Sequence, residues 1–245
     1  MTWDGMRVLA VVPARGGSKS IPRKNLASIE GLSLVGWAAR AAFSASWIDH
    51  VVLSTDDEEI AAEGRVCGMD VPFMRPSELA DDRSTSADMW RHAWLASEQH
   101  YETRFDCSLL LEPTSPLRTV ADMELTMRAL MQGGHDAAAT VSRMPAHYTP
   151  HKTLIVDPAG RIGFYLPSGA RHSIRQTIPA YYHRNGICYA VKRDTLIEHG
   201  AIVERNCAAV IIERPVVNID EPLDLRIAGL LMADALLTEG VRSEA

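Results

Sequence analysis

Residues 7–12 (RVLAVV) form an unbroken apolar, β-branched run that leads directly into two consecutive glycines and a cluster of cations, residues 13–25 (PARGGSKSIPRKN). A strand with no polar alternation has no face to give to water, so it belongs in a sheet covered on both sides. Similar runs recur at 51–54 (VVLS), 108–111 (SLLL), 137–141 (AAATV), 187–191 (ICYAV) and 208–212 (AAVII). Between them, 34–45, 89–95, 123–131 and 223–237 place apolar residues at helical spacing, as with Val35, Ala38, Ala39, Ala42 and Phe43. Strands alternating with helices make the class α/β.

At 245 residues, 47% hydrophobic and 23% charged, the chain can bury one substantial core, and a single domain over 1–245 is expected. The stretch from 145 to about 180 breaks the strand–helix rhythm with its own prolines and glycines. Its short extended pieces at 153–156 and 162–166 read as an inserted lobe. Such a lobe either buries apolar surface against a second copy or stands in solvent. No apolar run approaches the roughly 18 residues that span a bilayer, and the first residues lack the basic-then-apolar order of a secretory signal. A cytoplasmic protein without membrane contact is therefore expected. The four cysteines form no closely spaced pair and read as reduced core residues. A net charge of −6 excludes a general nucleic-acid binder, so any anionic ligand needs a local basic cluster.

Residues 13–25 supply that cluster. Gly16 and Gly17 let the backbone turn and present N–H groups to an anion, while Arg15, Lys19, Arg23 and Lys24 bring positive charge. The pattern is neither G-x-x-x-x-G-K-[ST] nor G-x-G-x-x-G, which removes the common ATPase and dehydrogenase readings. A solvated basic turn would have the same composition. Its place at the carboxyl end of the first strand, where open α/β sheets bind ligands, favours function.

Residues 12–25 (VPARGGSKSIPRKN) resemble the amino-terminal signature of the acylneuraminate (CMP-sialic acid, nonulosonic acid) cytidylyltransferases. The resemblance continues in order through 52–56 (VLSTD), 75–80 (RPSELA), 113–118 (PTSPLR), 151–154 (HKTL), 185–189 (NGICY) and 218–225 (NIDEPLDL), covering roughly 6 to 235. It implies a Rossmann-like nucleotide-diphospho-sugar transferase domain with a mostly parallel, mixed sheet. The implied reaction moves CMP from CTP to an acidic 2-keto sugar and releases pyrophosphate. By that resemblance Arg15, Gly16, Gly17, Ser18, Lys19, Lys24 and Asn25 hold the triphosphate, while Arg75, Ser84 and Ser86 contact base and ribose. Glu112, Ser115, Lys152, Arg175, Asn185 and Tyr189 face the acceptor. Arg15, Lys24 and Asp220 are the expected catalytic residues, and Asp220 with Asn218 the expected ligands of Mg²⁺, with Mn²⁺ as an alternative.

Structural roles compete for several of these positions. Ser86 is equally suited to cap the helix after 82–86 (DRSTS), Ser115 and Arg118 to cap and anchor the next one, and Asp224 to sit in a helix's first turn. None of the nine histidines is assigned as a general base.

Three positions depart from the family pattern. Glu112 stands where glutamine is usual, and His183-Arg184-Asn185-Gly186 replaces Arg-x-Asn-Gly. Asn218 replaces the first of two aspartates flanking an isoleucine. An asparagine carbonyl can bind a metal but adds no charge, so Glu112 is expected to restore part of it. The resemblance also implies a homodimer. Two alternatives stay open: a cytidylyltransferase for another acidic acceptor such as Kdo or a phosphonate, and a non-catalytic CTP-binding relative.

Overall fold

The computed structural model describes residues 3–171 and 177–243. Among them, the elements run β1 (Val8–Pro13), β2 (Ser28–Ile29), β3 (Leu32–Ser33), α1 (Leu34–Phe43), β4 (His50–Ser54), α2 (Glu58–Val66), α3 (Ser86–Tyr101), β5 (Cys107–Leu110), α4 (Val120–Gln132), β6 (Ala137–Arg143), β7 (Leu154–Val156), β8 (Ile162–Phe164), β9 (Tyr182–Lys192), α5 (Arg193–Ile197), β10 (Cys207–Ile211) and α6 (Pro222–Ser243). The main sheet has the order β10-β6-β9-β5-β1-β4. β1 lies parallel to both β4 and β5, and β10 to β6, whereas β9 runs antiparallel between β5 and β6. This is the mixed, mostly parallel α/β sheet expected.

Period-two side-chain alternation explains the layering. Val8, Ala10 and Val12 of β1 pack towards α1 and α4, alongside Val35, Ala39, Met123 and Met127. Leu9 and Val11 turn to the other face and meet Trp90 and Trp94 of α3. Both tryptophans are fully buried with their indole N–H groups satisfied, Trp90 by Ser108 Oγ at 2.8 Å and Trp94 by Glu98 Oε1 at 3.1 Å. Truncating either to alanine costs about 3–5 kcal/mol. A third cluster ties α6 to the β2–β3 ribbon through Ile29, Trp37, Ala228 and Met232.

Several boundaries move from their expected places. Thr85, not Ser86, caps α3, because its side chain accepts from Asp88 N. Thr119 and Asp122 form a capping box on α4, so neither Ser115 nor Arg118 caps it. Asp224 accepts from the backbone N–H groups of Asp220 and Glu221 at the start of α6. β9 begins five residues before the apolar run at 187–191, and its register with β6 shifts between Ala139 and Val141. There Thr140 Oγ1 donates to Asn185 Oδ1 at 2.7 Å and accepts from Cys188 N at 2.9 Å. The bulge is closed by side chains where the ladder is interrupted.

Candidate active site

The carboxyl ends of β1, β4 and β5 open into a cleft of about 530 Å³. Residues 14–25 wrap its rim. Ala14 N donates to Ser54 O, Gly16 N to Asp56 Oδ1 at 2.9 Å, and Asn25 Nδ2 to Arg15 O at 2.9 Å. A Cβ on Gly16 would sit 2.8 Å from Asp57 Oδ2, so only glycine allows this approach. Arg15, Ser18, Lys19, Lys24 and Asn25 line the cleft, but Gly16 and Gly17 are not on its wall. The fourth cation, Arg23, is bound elsewhere, to Asp57 at 2.9 Å and to Glu59.

Each cation that the 13–25 segment brings to the cleft has a carboxylate beside it. Arg15 reaches Asp82 Oδ1 at 3.2 Å, and Lys19 pairs with the other oxygen of the same side chain. Lys19 first, then Arg15, hold the Asp82 carboxyl below the usual carboxylate range. Lys24 donates to Ile219 O at 2.9 Å and lies 3.3 Å from Asp220 Oδ1. Such solvent-screened pairs are weak, so a polyanion can displace the carboxylates.

Arg75, Ser84 and Ser86 stand on the opposite wall. Arg75 is buried and donates to Ser54 Oγ at 3.1 Å and Ser54 O at 2.5 Å, which fixes the 75–86 loop to the end of β4. Burial lowers its pKa to about 10, still fully charged at neutral pH. Ser84 Oγ is buried without a hydrogen-bond partner, and so is Asn218 Oδ1. Each such orphan costs about 1–3 kcal/mol, and both line the cleft, where a ligand atom would satisfy them.

The cleft adjoins a second chamber of about 210 Å³, to whose lining Arg184, Tyr189 and Ile202 contribute. Ser86, Leu110, Glu112 and Asn218 are common to both. Burial raises the Glu112 carboxyl, with nearby Arg118 and Arg184 working against that rise. Burial also pushes the Tyr189 phenol above its ordinary value. Gly186, at φ +70°, gives Glu112 its room: a Cβ there would lie 2.6 Å from Glu112 Oε2 and Ser115 Oγ, and 3.5 Å from Asn218 Cγ. Glu112, Asn218 and Asp220 offer oxygen alone, a donor set suited to a hard cation that keeps most of its water. Among the described residues no three His, Cys, Asp or Glu side chains converge into a ready-made metal cluster.

The remaining acceptor-side residues divide. The Asn185 amide is engaged by Thr140 and Ser142 of β6 and by Ile187 N, so it holds the β6–β9 seam, while Ser115 Oγ donates to Asn185 O at 3.0 Å and holds the β5–β9 junction. Arg118 is likewise buried in that junction. It donates to Glu112 O at 2.7 Å, to Gly186 O at 3.2 Å and to Ile187 O. Lys152 lies in the 145–180 segment and on neither chamber wall, and Arg175 lies outside the described residues. Ile202 and Asp82 are wall residues that the sequence did not single out, and Arg184, noted there only as part of a departure from the family pattern, lines the second chamber.

Comparison with known proteins identifies the family and the fold. Residues 9–142 match the family model described as Cytidylyltransferase. Post-translational flagellin modification protein B of Campylobacter coli is 30% identical over 93% of this chain and 95% of its own length. The CMP-N,N'-diacetyllegionaminic acid synthase of Campylobacter jejuni is 29% identical over 92% of this chain and 95% of its own. Among solved structures, CMP:2-keto-3-deoxy-manno-octonic acid synthetase complexed with CTP aligns with a TM-score of 0.70 at 18% identity, covering 94% of this chain and 99% of that one. At that identity the likeness concerns the fold.

Proposed function

The chain belongs to the cytidylyltransferase family, and from that premise we propose that it transfers CMP from CTP to the anomeric hydroxyl of a sialic acid-type nonulosonic acid, releasing pyrophosphate. The observation that carries this reading is the adjoining pair of chambers, one walled by Arg15, Lys19 and Lys24 and the other by Arg184 and Tyr189, with Glu112 and Asn218 at the seam. A triphosphate in the first and an acidic sugar in the second bring hydroxyl and α-phosphorus together at that seam. The hydroxyl oxygen bonds to the α-phosphorus, the bond to the β-phosphate bridge breaks, pyrophosphate departs and the hydroxyl proton goes to water. Catalysis of this kind rests on positioning and charge neutralisation more than on covalent participation.

Arg15, Lys19 and Lys24 leave Asp82 and Asp220 for the phosphates. Ser84 Oγ and Arg75 face ribose and base. Asp220 and the orphaned Asn218 Oδ1 would hold Mg²⁺ (or Mn²⁺), which supplies charge neutralisation at the phosphates. Glu112 adds the negative charge that asparagine at 218 lacks. Because burial raises the Glu112 carboxyl, a nearby cation is what makes its ionised form favourable there.

The reading includes a cytoplasmic homodimer. β7 and β8 form a separate antiparallel ribbon, and Leu154, Ile155, Val156, Ile162, Phe164 and Tyr165 are all 43–71% exposed. So contiguous an apolar surface fits a second copy. Ile162→Lys is expected to convert a dimer to a monomer in light scattering; an unchanged mass contradicts that interface. Among the described residues no helix is long and apolar enough to cross a membrane.

The test of the reaction is pyrophosphate release from each of four nucleoside triphosphates with Mg²⁺, against N-acetylneuraminic, legionaminic and pseudaminic acids and Kdo. Turnover with CTP and a nonulosonic acid is expected. Turnover with Kdo alone moves the acceptor to an octulosonate, and CTP binding without turnover on any acid contradicts the enzymatic reading.

A further inference from the structure

We infer that Arg23, the cation of the 13–25 segment that lies off the cleft wall, is a positioning residue: it clamps the backbone from behind, so that Lys24 stays at the phosphates when the nucleotide and its cation take Asp220. The inference rests on the proposed reaction and names a further residue on which that reaction depends.

Arg23 takes φ +56° and ψ +33°, the left-handed region that an arginine occupies only where its surroundings hold it. No side-chain hydrogen bond caps the short turn over Lys24–Leu26 that follows, so local capping is not what holds it. The side chain crosses instead to the start of α2. Its Nη1 donates to Asp57 Oδ2 at 2.9 Å, and its Nη2 donates to Asp57 Oδ1 at 3.4 Å and to Glu59. Asp57 is itself fixed, because its Oδ1 accepts from Glu59 N at 2.9 Å and Ile60 N at 3.0 Å as the cap of α2. The same stretch holds the other end of the loop. Asp56 Oδ1 accepts from Gly16 N at 2.9 Å, and Gly16 packs against Asp57 so closely that a Cβ would meet its carboxylate. Asn25 Nδ2 closes the ring by donating to Arg15 O at 2.9 Å. The start of α2 thus grips the phosphate loop at 16 and at 23, and so sets the gap between Arg15 and Lys24.

Lys24 depends on that grip because its own side chain has little latitude. It is 14% exposed, and its ammonium donates to Ile219 O at 2.9 Å and lies 3.3 Å from Asp220 Oδ1. A stem so enclosed cannot be redirected through solvent, so the place of the ammonium follows from the backbone at 24. Asp220 is the carboxylate that a phosphate-bound cation would claim, and Lys24 would then lose its anionic partner. Asp57 and Glu59 lie off the cleft wall, so the carboxylates that hold Arg23 are not contested by the nucleotide. The Asp57 side chain is 20% exposed and that of Glu59 76%, which leaves most of the hold to Asp57. A planar guanidinium engages both Asp57 oxygens and Glu59 together, which a lysine ammonium does not.

The experiment uses the full chain with CTP, Mg²⁺ and whichever of the four acids named above the wild type turns over fastest. Pyrophosphate release gives kcat, isothermal titration without the acid gives the Kd for CTP, and circular dichroism gives the melting temperature. Arg23→Gln is expected to lower kcat about three- to tenfold while changing the Kd for CTP less than about twofold. Arg23→Lys should recover part of the lost kcat. Arg23→Gly relieves the left-handed backbone as it removes the clamp, so it should melt near the wild type and still lose kcat, a split that a merely structural residue would not give. A wild-type kcat in Arg23→Gln, a Kd for CTP that rises as far as kcat falls, or a kcat loss that Arg23→Gly does not share overturns the inference while the proposed reaction stands. Absence of CTP-dependent turnover by the wild type with every acid overturns both.

Discussion

Replacing Arg118 by methionine tests the joint on which the acceptor side is built. The guanidinium, 7% exposed, donates to three main-chain carbonyls, those of Glu112, Gly186 and Ile187. It thereby ties the segment after β5 to the bulged part of β9, a link that no ladder bond provides. Methionine fills most of the volume but donates nothing, leaving acceptors without donors at about 1–3 kcal/mol each. Part of that loss is offset because a buried charge, already disfavoured enough to bring the arginine's pKa to about 10, is removed as well. The net expectation is about 3 kcal/mol of destabilisation, or a melting temperature lower by about 6–12 °C for a chain of this size. A circular dichroism melt reads the stability, and pyrophosphate release reads the displacement of Glu112, which should lower kcat more than it changes the Kd for CTP. A loss below about 1 kcal/mol, with kcat intact, would refute the argument that these three bonds hold the site together.

Two further outcomes follow from the charges in the cleft. Asp82→Asn removes the carboxylate that holds Arg15 and Lys19 and should lower the Kd for CTP in isothermal titration, by more at low salt than at high; weaker binding would mean that Asp82 contributes to the nucleotide site instead. Glu112→Gln should stabilise the metal-free protein at neutral pH. The wild-type carboxyl, raised by burial, favours folding below its unfolded pKa and loses that contribution as pH rises through its folded value. The gap between the two proteins in urea melts should therefore narrow as pH falls through the raised folded value and be closed below about 4.3, and the same variant should need more Mg²⁺ for half-maximal turnover. A gap independent of pH, or an unchanged Mg²⁺ requirement, counts against the role assigned to Glu112.

The six strands of the main sheet were legible in the sequence because each carries a run of apolar residues, buried in five of them and, in the edge strand β10, buried only at Val210. α2 was not, since only Ile60, Ala61 and Gly64 of its nine residues are buried and its start rests on Asp57 as a cap. The ends of β9 were hidden for another reason: Tyr182, His183 and Arg184 pair with β6 yet stay exposed, so no alternation marks them. In the site, spacing and resemblance identified the segments that meet, because 13–25, 75–86, 112–118 and 218–220 all follow strands or join helices. Side-chain direction was not written there. Ser115 and Asn185 belong to the recognised motifs, but Ser115 bonds to the main chain of β9 and the Asn185 amide to β6, whereas Arg184, noted only as part of a departure from the family pattern, and Ile202, unremarked in the sequence, form part of the chamber wall. Asp82 was similarly invisible, because its partners Arg15 and Lys19 lie more than sixty residues away along the chain.

Phosphorus NMR of a mixture of protein, CTP, Mg²⁺ and N,N'-diacetyllegionaminic acid tests the central claim most directly. The account predicts one new phosphodiester resonance, growing in step with pyrophosphate as CTP disappears, and no such resonance with ATP, GTP or UTP. Pyrophosphate formed without the sugar acid, or CTP that persists unchanged alongside every nonulosonic acid, would contradict it.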